Sequence, residues 1–150
     1  MYTKILVPID GSETAERGLK EAIRLAAGQQ QRPTLYLLHV VHDISMVIEM
    51  SAVQSADETL AYLKKFGEEV LSKAGQAAAA AGLASEPILR VVQRGRVSDL
   101  IVSEAERLGC ELIVMGTHGR RGLSRLAMGS DAALVLQSGS LPVLLVRAEG

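Results

Sequence analysis

Between Gly116 and Ser130 the chain reads GTHGRRGLSRLAMGS, with four glycines, three arginines and one histidine but no Asp or Glu. Glycine lacks the Cβ that would keep a ligand away from backbone N–H groups, and it also permits positive φ. A helix opening at Gly129-Ser130 presents unpaired N–H groups and the positive end of its dipole. Such a segment can cradle phosphates, with Arg120, Arg121 and Arg125 adding positive potential and Ser130 either donating its hydroxyl or capping the helix. The same residues would also serve a sharp glycine-rich turn, and composition alone leaves the two readings open.

Asp10, in PIDGS, is the second candidate. At the mouth of a sheet its carboxylate would accept hydrogen bonds from ribose hydroxyls. The competing reading is an Asx-turn into Gly11. The histidines, His39, His42 and His118, and the single cysteine, Cys110, show no zinc-type spacing. His39 lies inside an apolar run and is expected to be a hydrogen-bonded structural residue, Cys110 a small buried one. His118 would touch either a phosphate or solvent. The chain contains no G-x-x-x-x-G-K-[ST], no G-x-S-x-G and no evident general base or catalytic lysine, so no efficient turnover is expected.

These residues need a scaffold, and the apolar pattern supplies one. Short runs at 4–9 (KILVPI), 35–41 (LYLLHVV), 88–92 (ILRVV), 112–115 (LIVM) and 143–146 (VLLV) read as strands buried on both faces. Between them lie helical stretches. The first is capped by Ser12, with Ala15, Gly18, Leu19, Ala22 and Ala26 on one stripe. The second, about Ser55 to Gly82, carries Leu60, Leu63, Gly67, Val70, Ala74, Ala77 and Ala81. The third uses Val97, Leu100, Ile101, Glu104, Ala105 and Leu108 and stops at Gly109, and the fourth runs from Ser130 to about Ser138. This alternation predicts an α/β fold with a parallel sheet and helices on both faces. Ligands then bind at the carboxyl ends of the strands, where PIDGS and MGTHGRRG lie. The stretch from His42 to Gln54 is long for a βα connection and apolar enough to suggest a flap.

The 150 residues make one domain, 1–150, and 16 Lys+Arg against 17 Asp+Glu exclude a polyelectrolyte surface for nucleic acid or anionic membranes. No apolar run approaches the roughly 20 residues that span a bilayer, and the start shows no signal peptide, so a cytoplasmic location is expected.

KILVPIDGSETA, LLHVV, LIVMGTHGRRGLSRLAMGS and LPVLLVR, with the spacing Gly116-x2-Gly119-x9-Gly129-Ser130, resemble the nucleotide-binding branch of the universal stress protein family over nearly the whole chain. The resemblance implies a single-domain, Rossmann-like open five-stranded sheet of order 3-2-1-4-5. It implies a stress-response module binding ATP (or ADP or another adenine nucleotide), with Mg²⁺. Asp10 would contact the adenosine part, Val40 would hold adenine through its backbone, and Pro8 would shape the pocket. Met115 and Gly116 would line the nucleoside, and Gly119, Gly129 and Ser130 would hold the phosphates. A homodimer paired along Val143 to Val146 is also implied.

Alternatives are a slow Mg-dependent ATPase or phosphotransferase, a member of the family that binds no nucleotide, and a flavodoxin-like FMN or receiver domain. An FMN site fits poorly with 3% aromatic residues and no Trp, and a receiver would need more acidic residues around Asp10. Asp131 departs from the family's pattern: a carboxylate beside a triphosphate repels it, ligates its Mg²⁺, or points away along the helix dipole.

Overall fold

The computed structural model describes residues 1–44, 55–118 and 128–147. Five strands, β1 (Lys4–Pro8), β2 (Thr34–His42), β3 (Ser85–Val92), β4 (Leu112–Gly116) and β5 (Val143–Val146), alternate with four helices. The helices are α1 (Glu13–Ala27), α2 (Ala56–Ala80), α3 (Val97–Leu108) and α4 (Ser130–Ser138). The sheet has the order β3-β2-β1-β4-β5 and every pairing is parallel, as the resemblance implied. The winding reverses between β1 and β4, which makes their carboxyl ends the switch point.

Each central strand feeds two cores. Ile5, Val7, Leu35, Leu37, Leu112 and Val114 pack under α1 and α2. Leu6, Tyr36, Leu38, Ile113 and Met115 pack with α3 and α4. Alternate residues are thus buried on opposite faces, which is why these strands read as unbroken apolar runs. Burial of each such Leu or Ile side chain contributes about 1.5–3 kcal/mol. Cys110 belongs to the second core, 3% exposed, and burial pushes its thiol up to about 11.

The helix ends follow local chemistry. Ser12 caps α1, its hydroxyl accepting from the Ala15 N–H, and Gly109 closes α3 in the left-handed conformation at φ 67°. Glu104 faces inward on α3 because it is paired: it accepts from Arg90 of β3 at 3.2 Å and from Arg107 at 2.8 Å. The Arg107 hydrogen bond, with Arg90 behind it, holds its carboxyl below the usual range.

Two expectations change. On α2 the buried residues are Gly67, Leu71, Ala74 and Ala78, whereas Ala77 is exposed and Val70 is half-buried. The larger Leu71 takes the core position, and Val70 turns with Phe66 toward Gly11, where an added Cβ would meet them at 3.3 and 3.1 Å. β3 starts three residues before ILRVV because Pro87, which donates no hydrogen bond, is tolerated on an edge strand.

Gly67 sets how near α2 can come to the sheet. A Cβ there would lie 2.5 Å from His39 Cδ2 and 2.7 Å from Leu89 Cδ1. His39 is itself held, 5% exposed, with Nδ1 2.8 Å from the Ile9 carbonyl and its ring edge-on to Phe66. Gly67→Ala gains about 1 kcal/mol of helix propensity but costs about 1–3 kcal/mol of overpacking. The expected result is a lower denaturant midpoint; a higher one would show that α2 shifts freely.

Candidate functional site

The first wall of the site is the turn after β1. Pro8 ends the strand opposite Leu38, and β2 runs on to His42, so Val40 extends past the end of β1. Asp10 follows, with Gly11 at φ 83° turning the chain into α1. Oδ1 of Asp10 accepts the Ser12 N–H at 2.9 Å, so the Asx-turn is formed. Val40 is half-buried and packs against the α3/α4 core.

The second wall is the turn after β4. Gly116 and Gly129 are not needed for positive φ, which among the described glycines occurs only at Gly11, Gly82, Gly95 and Gly109. They are needed because backbone comes too close for a methyl group. A Cβ on Gly116 would sit 2.6 Å from the Thr14 carbonyl oxygen, and one on Gly129 would sit 2.6 Å from the Thr117 carbonyl oxygen. Gly18 completes the approach from α1: a Cβ there would lie 3.2 Å from the Gly116 nitrogen. Hydrogen bonds clamp the same place: the Thr14 hydroxyl donates to the His118 carbonyl, and the Gly129 N–H donates to the Thr117 carbonyl at 2.5 Å. Nothing in the sequence singles out Thr14 and Thr117; a threonine near a cap or a turn carries no signal that it will bridge two distant loops.

Gly129, not Ser130, occupies the N-cap of α4, and Ser130 is its exposed first residue. The cap falls there because the Gly129 N–H must reach Thr117, which leaves Ser130 inside the first turn. The N–H groups of that turn have no acceptor within the helix, and a ligand anion can take them. Met115 is 6% exposed and its side chain sits in the α3/α4 core, so only its backbone can border the site. Gly119, Arg120, Arg121 and Arg125 lie outside the described residues, as does most of the 42–54 stretch.

Charge joins the walls. Asp131 reaches solvent, yet surrounding protein desolvates it enough to raise its pKa, and repulsion from Asp10 adds to the rise while His42 opposes it. Asp10, His42 and Asp131, from the ends of β1 and β2 and the start of α4, therefore share one electrostatic neighbourhood. Among the described residues no group of three or more His, Cys, Asp or Glu is placed to hold a metal ion. A separate groove of about 370 Å³ runs along α1, walled by Glu13, Glu16, Glu21, Arg17, Lys20, Arg24 and Val146. Its three acids and three bases offset one another, so it has little of the field that selects an anion.

The model of the universal stress protein family matches residues 1–147. The chain belongs to this family. It is 34% identical over 147 residues to universal stress protein MJ0531 of Methanocaldococcus jannaschii, covering 98% of this chain and 83% of the relative. Among solved structures, MJ0577 superposes with a TM-score of 0.86 at 29% identity, covering 100% of this chain and 99% of the other. A universal stress protein from Archaeoglobus fulgidus, solved in complex with dAMP, matches at TM-score 0.67 and 25% identity, covering 97% and 98%. The fold is thus shared with solved universal stress proteins, and no helix among the described residues is long and apolar enough to cross a membrane.

Two predictions follow from this geometry. Gly116→Ala forces a methyl group against main chain that cannot swing away, so it should cost about 3 kcal/mol in chemical denaturation; wild-type stability would show that α1 yields. For Asp131, a folded pKa above the unfolded one favours the protonated form in the fold. Stability from this group is present below the ordinary Asp value and is lost as pH rises through the raised one. Asp131→Asn should therefore raise the melting temperature of the unliganded protein at pH 7, with the gain over wild type vanishing near pH 3.

Proposed function

We propose that this protein binds an adenine nucleotide, ATP or a close relative, where β1, β4 and α4 meet, and acts as a nucleotide-dependent regulatory module of the cytoplasm. The observation that carries this reading is the convergence at the switch point of a carboxylate turn, Asp10, and an open helix start, Gly129-Ser130. A nucleoside with its phosphates asks for both. Asp10 takes the ribose hydroxyls, Val40 presents backbone to adenine beside Pro8, and Met115 and Gly116 contribute main chain to the nucleoside. Gly129 and Ser130 receive the phosphates, together with Gly119. The fit is supported by the close packing at Gly116 and Gly129, which fixes the helix start beside the turn after β4. The dAMP held by the Archaeoglobus fulgidus relative supports the choice of base. Mg²⁺ carried on the phosphates would reduce the mutual repulsion of Asp10 and Asp131.

A second copy pairs along β5. This four-residue edge strand is open on one side, and Leu144 on it is 37% exposed. An uncovered apolar edge is a liability that a symmetric partner removes.

The test begins with freshly purified protein, denatured to identify any nucleotide it carries, followed by calorimetric titration with Mg-ATP. Binding with a micromolar dissociation constant is expected. Ser130→Ala, which removes one hydrogen bond to a charged group, should weaken it about tenfold. No carried nucleotide and no response to millimolar Mg-ATP would place the protein among family members that do not bind one. Release of ADP at many turnovers per minute, lost in Ser130→Ala, would make it a Mg-dependent ATPase instead. Monomeric sedimentation at micromolar concentration would remove the dimer.

A further inference from the structure

Asp131 is the second residue of α4, directly after Ser130, in a helix whose N-cap, Gly129, makes no side-chain cap. Two hydrogen bonds hold this turn against the first turn of α1: the Gly129 N–H donates to the Thr117 carbonyl, and the Thr14 hydroxyl donates to the His118 carbonyl. Asp10 lies just before α1, its Oδ1 accepting the Ser12 N–H. Helical side chains lean toward the start of their own helix, so the Asp131 carboxylate leans toward the N–H groups of the turn. It also faces the crevice, because surrounding protein desolvates it, Asp10 repels it and His42 works the other way. No ion pair among the described residues neutralises Asp131, whereas Glu104 on α3 is held by both Arg90 and Arg107.

An anion that takes the N–H groups of this turn lies within a few Cα steps of ~3.8 Å from Asp131. Salt screens charges only beyond about 8–10 Å, so the two anions feel each other. We infer that Asp131 is a specificity-determining residue that sets how much negative charge the site accepts: it disfavours a metal-free polyphosphate tail relative to a monophosphate or a triphosphate carrying Mg²⁺. This rests on the nucleotide reading of the site and adds a repulsive element to it. The N–H groups and the Ser130 hydroxyl attract every phosphate alike, so they bind without choosing. A carboxylate beside them penalises each ligand in proportion to its charge, and a penalty against the wrong ligand is a source of selectivity. A monophosphate brings about two negative charges at neutral pH. Further phosphates add to that charge, and Mg²⁺ cancels part of it.

The experiment measures the dissociation constants of adenosine, AMP, ATP in EDTA and Mg-ATP at pH 8 and low salt, for wild type, Asp131→Asn and Asp131→Glu. Asn keeps the shape of the side chain and removes its charge. In that variant metal-free ATP should tighten at least tenfold, AMP and Mg-ATP by less than threefold, and adenosine by less than twofold. Glu, which returns the charge, should restore the wild-type order of affinities. Unchanged metal-free ATP binding in the Asn variant, an equal change for all four ligands, or Asn-like behaviour in the Glu variant would each overturn the role of Asp131 alone. So would a loss of Mg-ATP affinity in the Asn variant with metal-free ATP unchanged, which would make the carboxylate a metal ligand. Wild-type protein that binds none of the four would overturn the nucleotide reading and this one with it.

Discussion

The backbone of α1 passes so near the end of β4 that Gly116 has no room for a methyl group, and most of the site depends on that contact. Because Gly18 and Gly116 let the two main chains touch, Thr14 reaches the His118 carbonyl and pins the turn after β4 to the turn after β1. Because that turn is pinned, the Thr117 carbonyl is where the Gly129 N–H can find it, and the N-cap of α4 falls at Gly129 rather than a residue later. Three contacts in series carry the position of one helix start from the packing of another. Small residues at such crossings do for a binding site what a short strut does for a joint.

Electrostatics works against this assembly. Bringing the ends of β1, β2 and the start of α4 together also brings Asp10 toward Asp131, and the rise in the pKa of Asp131 registers the cost. Desolvation is the larger cause, repulsion the second, and His42 offsets them in part. Elsewhere the molecule balances its buried charge, as Glu104 shows between Arg90 and Arg107. At the site the paired carboxylates go unbalanced, which is the usual mark of a surface shaped for something other than its own stability.

Much of this architecture was legible in the residues. Strand positions, the Ser12 cap, the Gly109 stop and the inward stripe of α1 follow from period and local chemistry, which act within a few residues. What escaped the reading acts across the chain. Ala77 and Ala78 are chemically equal, and only the sheet decides which of them is buried. Pro87 looks like a boundary until its strand proves to be an edge. Alternation along β4 turns the Met115 side chain into the core and leaves its backbone to border the site. Gly116 and Gly129 invite an argument from φ, while their actual reason is proximity to main chain far away in sequence. The strand order came from the family resemblance, because no periodicity encodes which strand lies beside which.

The position of Cys110 under α3 bears on oxidative chemistry. With its thiol pushed up to about 11 by burial, only about one molecule in ten thousand carries the thiolate at neutral pH. Thiolate is the form that peroxides and electrophiles attack. Oxidants and alkylating agents therefore meet a cysteine that is both shielded and protonated, and the domain can persist unmodified in conditions that would oxidise an exposed, acidic thiol.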